Sequence, residues 1–185
     1  MEFRRKFGTK ISISRFFCLY LPTISEKQYK KSYTIQAWLE NTYIIKIFED
    51  AFSTGDVNVD KDIFVFDAGL KYDNDSNLGI DYIIPNYDYL IKNKKHIKGI
   101  FLTHGHEGNM GAIPDILDTL PNVPVYGTKL TLDIVKNDLT KEQIEKSQLK
   151  EIKAHSKIGF GKNAIFPISV THSIPDAVCY VLYTE

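Results

Sequence analysis

The chain has 185 residues, 43% of them hydrophobic, which is enough to bury one core and too few for two large domains. Lys+Arg and Asp+Glu each number 23, so no global basic field points to nucleic acid, and an RNA-binding role has to come from a particular site. The two cysteines, Cys18 and Cys179, show neither CxxC nor zinc-knuckle spacing and make no disulfide framework, which places the chain most simply in the cytoplasm.

Residues 1–32 mix Ser, Lys, Arg and aromatics without a sustained period and read as a poorly determined leader, or as an edge strand around Lys10 to Ser14. The apolar stretch Ile11 to Leu21 is broken by Arg15 and is too short to span a bilayer, so neither a signal peptide nor a membrane partner is expected.

From Trp38 the pattern changes. The runs Tyr43 to Phe48 and Ile63 to Phe66 are β-branched and aromatic, and they predict a hairpin with a long connection through Ser53 to Asp60. Asp67-Ala68-Gly69 then leads into a polar loop, Tyr72 to Asn77, a short helix near Tyr87 to Lys95 and a buried strand, Ile97 to Thr103, that stops at His104.

Gly111 to Leu120 carries Ile113, Ile116, Leu117 and Leu120 at helical spacing, and Pro121 separates it from a strand at Val123 to Tyr126. Thr128 to Ser147 predicts one or two polar-faced helices. Ala164 to Val170 and Val178 to Tyr183 predict two further strands around Thr171 to Asp176. Strands, then strand-helix-strand units, then strands suggest a mixed sheet covered by helices.

Thr103-His104-Gly105-His106 puts two imidazoles two residues apart at a strand's end, where they project to the same side of the chain. That suits two ligands on one ion. Neutral imidazole is a common zinc ligand, and a site with an open position lowers the pKa of bound water to roughly 7. An isolated HxH is more often a polar loop than a metal site, so the surrounding segment has to decide.

Phe101 to Leu117 resembles the metallo-β-lactamase signature, histidine-x-histidine-x-aspartate-histidine followed by glycine and a helix. Matched position by position, His104 and His106 are kept, while Gly108 stands at the aspartate and Asn109 at the last histidine. Glycine has no side chain to ligate with, and an amide is a poor substitute for imidazole at zinc. His172, in Thr171 to Asp176, falls on the next ligand histidine. Glu107 is the one acidic side chain inside the cluster, at a variable position of the motif.

Ile63 to Tyr72, Leu78 to Pro85 with Tyr89 and Leu90, Pro124 to Thr131, and His172 to Asp176 are similar to ribonuclease J in order and spacing. The likeness runs from roughly Tyr43 to the C-terminus, with two departures: no glycine-rich entry segment around Gln36 to Thr42, and an apparent insertion at Ser53 to Asp60.

The resemblance implies an incomplete αββα metallo-β-lactamase sandwich of class α/β over residues 33–185, the N-terminal portion of the domain. It also implies one zinc ion on His104, His106 and His172, with the second-metal site lost. Asp67 is expected as a carboxylate behind the ligands, a plain strand-ending turn being the alternative. No residue is assigned a catalytic role.

The family hydrolyses RNA with two metals. Loss of ligands at Gly108 and Asn109, and of a bridging aspartate expected beyond His172, implies weak or no nuclease activity here. Three readings stay open: a degenerate member that binds RNA or pairs with an active ribonuclease J paralogue, a one-metal hydrolase of RNA or a small ester, or an inert gene fragment.

Overall fold

The computed structural model describes residues 11–14, 17–19, 31–37, 43–49, 60–72 and 81–184. Most of the expected insertion (53–59), the polar loop from residue 73 onward and most of the Gln36 to Thr42 segment lie outside these residues.

In chain order the strands are β1 (Ile11–Ser14), β2 (Phe17–Leu19), β3 (Lys31–Ala37), β4 (Tyr43–Glu49), β5 (Asp60–Phe66), β6 (Ile97–Phe101), β7 (Pro124–Gly127), β8 (Gln148–Glu151), β9 (Ile158–Phe160), β10 (Asn163–Ser169) and β11 (Val178–Thr184). The helices are α1 (Asp88–Lys92), α2 (Glu107–Met110), α3 (Ile113–Thr119), α4 (Lys129–Asp138) and α5 (Lys141–Lys146), with a 3-10 turn at Lys94–His96.

The strands form two sheets, one of order β3-β4-β5-β6-β7-β8 and one of order β1-β2-β11-β10-β9. The expected hairpin is present as the antiparallel pair β4 and β5. From β5 to β8 all pairings are parallel, because each crossover runs through helix and returns on the same side. The edge strand foreseen near Lys10 to Ser14 is β1. It pairs with β2, which in turn runs parallel to β11.

A strand buried on both faces has no polar alternation, and Ile63 to Phe66 shows none. Ile63 and Val65 face a core completed by Ile100, Ile113, Ile116, Leu117, Leu132 and Val135, under the helices. Phe64 and Phe66 face the other way, where Phe101, Tyr126, Ile165, Val178, Tyr180 and Leu182 fill the space between the sheets. The described layers therefore run helices, six-stranded sheet, five-stranded sheet, which is three of the four layers of the αββα expectation.

The helix expected over Gly111 to Leu120 is present as α3, and a separate short helix, α2, precedes it with a break between them. Gly111 sits at the break because a Cβ there would lie 2.8 Å from the Glu107 carbonyl oxygen and 2.7 Å from Leu70. Strands β8 and β9 had no sequence signal. The former is a sheet edge whose only apolar residue is Leu149, and the latter is three residues long.

Phe101 is the centre of the inter-sheet core. It stacks on Tyr126 at 4.7 Å between centroids and meets Phe160 and Tyr180 edge-on. Phe101→Ala removes these contacts and opens a cavity in a core that helices cannot refill, so it should lower the unfolding free energy by about 3–5 kcal/mol in urea titrations.

Candidate metal centre

Parallel strands end in register, so β5, β6 and β7 deliver Asp67, Thr103 with His104, and Thr128 to one edge of the sheet. The loop between β10 and β11 comes from the other sheet and is drawn to the same edge. Val178 N donates to the Thr103 carbonyl at 2.9 Å, and Thr128 Oγ1 donates to the Asp176 carbonyl at 3.0 Å. His172 rides on that loop.

The structure thus brings together the three histidines the sequence singled out. Their ring centroids are 4.8 Å apart for His104 and His106, 4.3 Å for His104 and His172, and 5.0 Å for His106 and His172. One ring nitrogen from each lies within 4.8 Å of the others, so the trio could hold a metal ion. Tetrahedral coordination with bonds of ~2.0–2.1 Å separates its donors by roughly 3.3 Å, so ion binding would draw the three rings closer together.

The three are not equivalent in setting. His104 is 2% exposed, His172 half-buried and His106 exposed. Gly105 between the first two allows close cover, since a Cβ there would meet Ile134 Cδ1 of α4 at 2.5 Å. Burial, followed by the neighbouring charges of His172 and His106, pushes His104 down to about 4. It is therefore neutral at pH 7, the form in which an imidazole binds a cation.

Asp67 does not touch a histidine directly in this geometry. Its carboxylate accepts from Thr103 N (2.7 Å) and Thr103 Oγ1 on one side and from Asn109 Nδ2 (2.7 Å) on the other. The Thr103 hydroxyl in turn lies 2.9 Å from His104 Nδ1. Burial raises Asp67 to about 7, against the pull of these donors. Its backbone is left-handed, φ 57°, an uncommon state for a non-glycine residue, held where the β5 end turns under α2.

Asn109, matched in sequence to a ligand histidine, is 7% exposed and spends its amide on Asp67. Glu107 is turned outward and accepts from the Tyr72 phenol at 2.9 Å. Asp176 is a turn residue at φ 62°. The roles of the Thr103 hydroxyl and the Asn109 amide were not foreseen. A threonine closing a strand and an asparagine in a broken signature carry no chemistry until the fold sets them beside one carboxylate.

No protein-family model matches the sequence. Ribonuclease J 2 of Staphylococcus epidermidis is 41% identical over 130 residues, 70% of this chain and 23% of that protein. Ribonuclease J 2 of Staphylococcus aureus is 40% identical over the same shares. The chain is a ribonuclease J relative. It spans 23% of the length of the curated relatives it matches.

Among solved structures, a protein of unknown function from Enterococcus faecalis V583 superposes with TM-score 0.54 at 16% identity, over 84% of this chain and 41% of that one. A diphosphatase of the PhnP family gives 0.51 at 16%, over 78% and 49%. At such identity the likeness is one of fold, and the fold of this ribonuclease J relative is the metallo-β-lactamase fold. Among the described residues no helix is long and apolar enough to cross a membrane.

The two shifted groups oppose each other in the metal-free protein. Asp67, raised from 3.8 to about 7, adds stability that is complete below 3.8 and lost as pH rises through 7. His104, lowered from 6.5 to about 4, adds stability that is complete above 6.5 and lost as pH falls through 4. Between these limits the two slopes offset one another. Asp67→Asn leaves the His104 slope alone, so chemical denaturation of metal-free variant should show stability climbing from pH 4 to 6.5, with its deficit against the parent shrinking over that range.

Proposed function

We propose that this chain acts in RNA processing and decay in the cytoplasm as a ribonuclease J-like protein that binds one zinc ion on His104, His106 and His172 and has weak or no nuclease activity. The observation that carries the reading is the pairing of a converged histidine trio with an Asn109 side chain committed to Asp67.

Three imidazoles match the ligand count of a zinc site with an open fourth position. When bound, zinc supplies a Lewis acid and brings the pKa of water it holds to about 7. His104 offers an unprotonated nitrogen without first losing a proton, and Ile134 crowds the backbone between His104 and His106.

Among the described residues, a second ion lacks the donors that an in-line phosphodiester displacement needs. Gly108 has no side chain, Asn109 faces Asp67, and Glu107 faces Tyr72. RNA is the ligand class that the ribonuclease J relationship supports, and an active ribonuclease J paralogue is the proposed partner. The open fourth position favours a second reading, a one-metal hydrolase of RNA or a small ester.

Elemental analysis of protein purified without chelator should find one zinc per chain and little manganese, lost in a His104→Ala/His106→Ala control. RNA incubated with the zinc-loaded chain should be cleaved no faster than with that control. Metal-dependent turnover that His172→Ala abolishes would establish the hydrolase reading instead, and a parent protein without metal would sink both.

A further inference from the structure

We infer that Thr103 is the positioning residue of the histidine cluster: its hydroxyl, donating to Asp67, keeps the His104 proton on Nδ1 and so leaves Nε2 to face the ion, with Asn109 anchoring Asp67 from behind. This rests on the metal-centre reading above and assigns to that site a residue that touches no ion.

The argument is one of hydrogen counting. A threonine hydroxyl has one hydrogen and two lone pairs. Thr103 Oγ1 lies 3.0 and 2.9 Å from the two Asp67 oxygens and 2.9 Å from His104 Nδ1. The other groups on that carboxylate, Thr103 N on Oδ1 and Asn109 Nδ2 on Oδ2, are both N–H donors at 2.7 Å. Ionised Asp67 therefore acts as an acceptor throughout and takes the hydroxyl hydrogen.

What the hydroxyl then presents to His104 is a lone pair, and a lone pair at 2.9 Å requires a proton on Nδ1. Turning the Asn109 amide over would set its oxygen against a carboxylate oxygen, so the donor orientation is the one the contact allows. The four residues are all buried, at 4% for Asp67, 3% for Thr103, 2% for His104 and 7% for Asn109. Water has poor access to replace a missing member, and in such a setting a lost partner is felt in full.

Partners of this kind behind a metal-bound histidine typically change metal affinity by about 10–100-fold. The side chain of Thr103 is the one most open to a clean test, because valine keeps its shape without the hydroxyl and serine keeps the hydroxyl without the methyl.

Long-range 1H–15N spectra of uniformly labelled, metal-free parent protein at pH 8, where Asp67 is ionised, should show the His104 proton on Nδ1. Zinc competition against a chromophoric chelator should find Thr103→Val weakened by ~10–100-fold and Thr103→Ser close to the parent. A parent His104 protonated on Nε2, or a Thr103→Val protein with unchanged near-ultraviolet circular dichroism and unchanged zinc affinity, would overturn the inference. If the valine variant does not fold, the parent tautomer and the serine variant decide. Absence of zinc binding by the parent sinks the metal-centre reading, and the tautomer then decides the hydrogen-bond chain by itself.

Discussion

The buried carboxylate of Asp67 is the constraint around which the histidine edge is organised. An ionised carboxylate out of water is unfavourable unless donors surround it, and here two N–H groups and a hydroxyl offset that penalty in part, leaving the group raised to about 7. Meeting that demand fixes backbone as well as side chains. Asp67 N donates to the Phe101 carbonyl, Ala68 N to the Asn109 carbonyl, and Ala112 N to the Ala68 carbonyl. Helix α2 has four residues, far fewer than a helix needs to persist by its own hydrogen bonds, so its place depends on these ties. His106 is the residue that caps it, and its direction is inherited from the same set of bonds.

The cluster also joins the two sheets. His104 and His106 follow β6 of the six-stranded sheet, whereas His172 belongs to the loop between β10 and β11 of the other. Three contacts already hold the two together at this edge: Val178 N on the Thr103 carbonyl, Thr128 Oγ1 on the Asp176 carbonyl, and the Tyr180 hydroxyl on the Leu102 carbonyl at 2.8 Å. An ion held by all three histidines would add a cross-link between sheets and so would stabilise the native state through binding. Ligation would in this sense reinforce a sandwich that these contacts already close.

Legibility in the sequence followed burial. Ile63 to Phe66 and Ile97 to Phe101 are packed on both faces or nearly so, and strands of that kind announce themselves as apolar runs. Strand β5 and the strand ending at the histidines could be read directly for that reason, whereas β11, which alternates buried and more exposed positions, showed as a short β-branched and aromatic run. Strand β8 could not, because a sheet edge needs no apolar face. Its residues Gln148, Lys150 and Glu151 are exposed. The break between α2 and α3 was hidden for a different reason: it comes from a close approach of Leu70 and the Glu107 carbonyl to Gly111, which is tertiary information. At the site, spacing was enough to collect His104, His106 and His172. Asp67 could be suspected, but that it reaches His104 only through the Thr103 hydroxyl depends on distances between strand ends.

Electrostatics argue for the number of ions such a site supports. Two dications about 3.5 Å apart repel by roughly 19 kcal/mol at an effective dielectric constant of 20, which is why paired-metal sites carry bridging or directly bound anions. The described residues around this trio offer three imidazoles and, closest behind them, a carboxyl that stands one hydroxyl away from the nearest ring. Glu107 could have served as an anion, yet it is exposed and bound to Tyr72. Asn109 makes the point from the other side. Its Nδ2 donates to the buried Asp67 carboxyl, and the amide oxygen left over is a poorer zinc ligand than imidazole. On the proposed one-ion reading, the residue that stands at the signature's last histidine serves instead as a donor to the carboxyl behind His104.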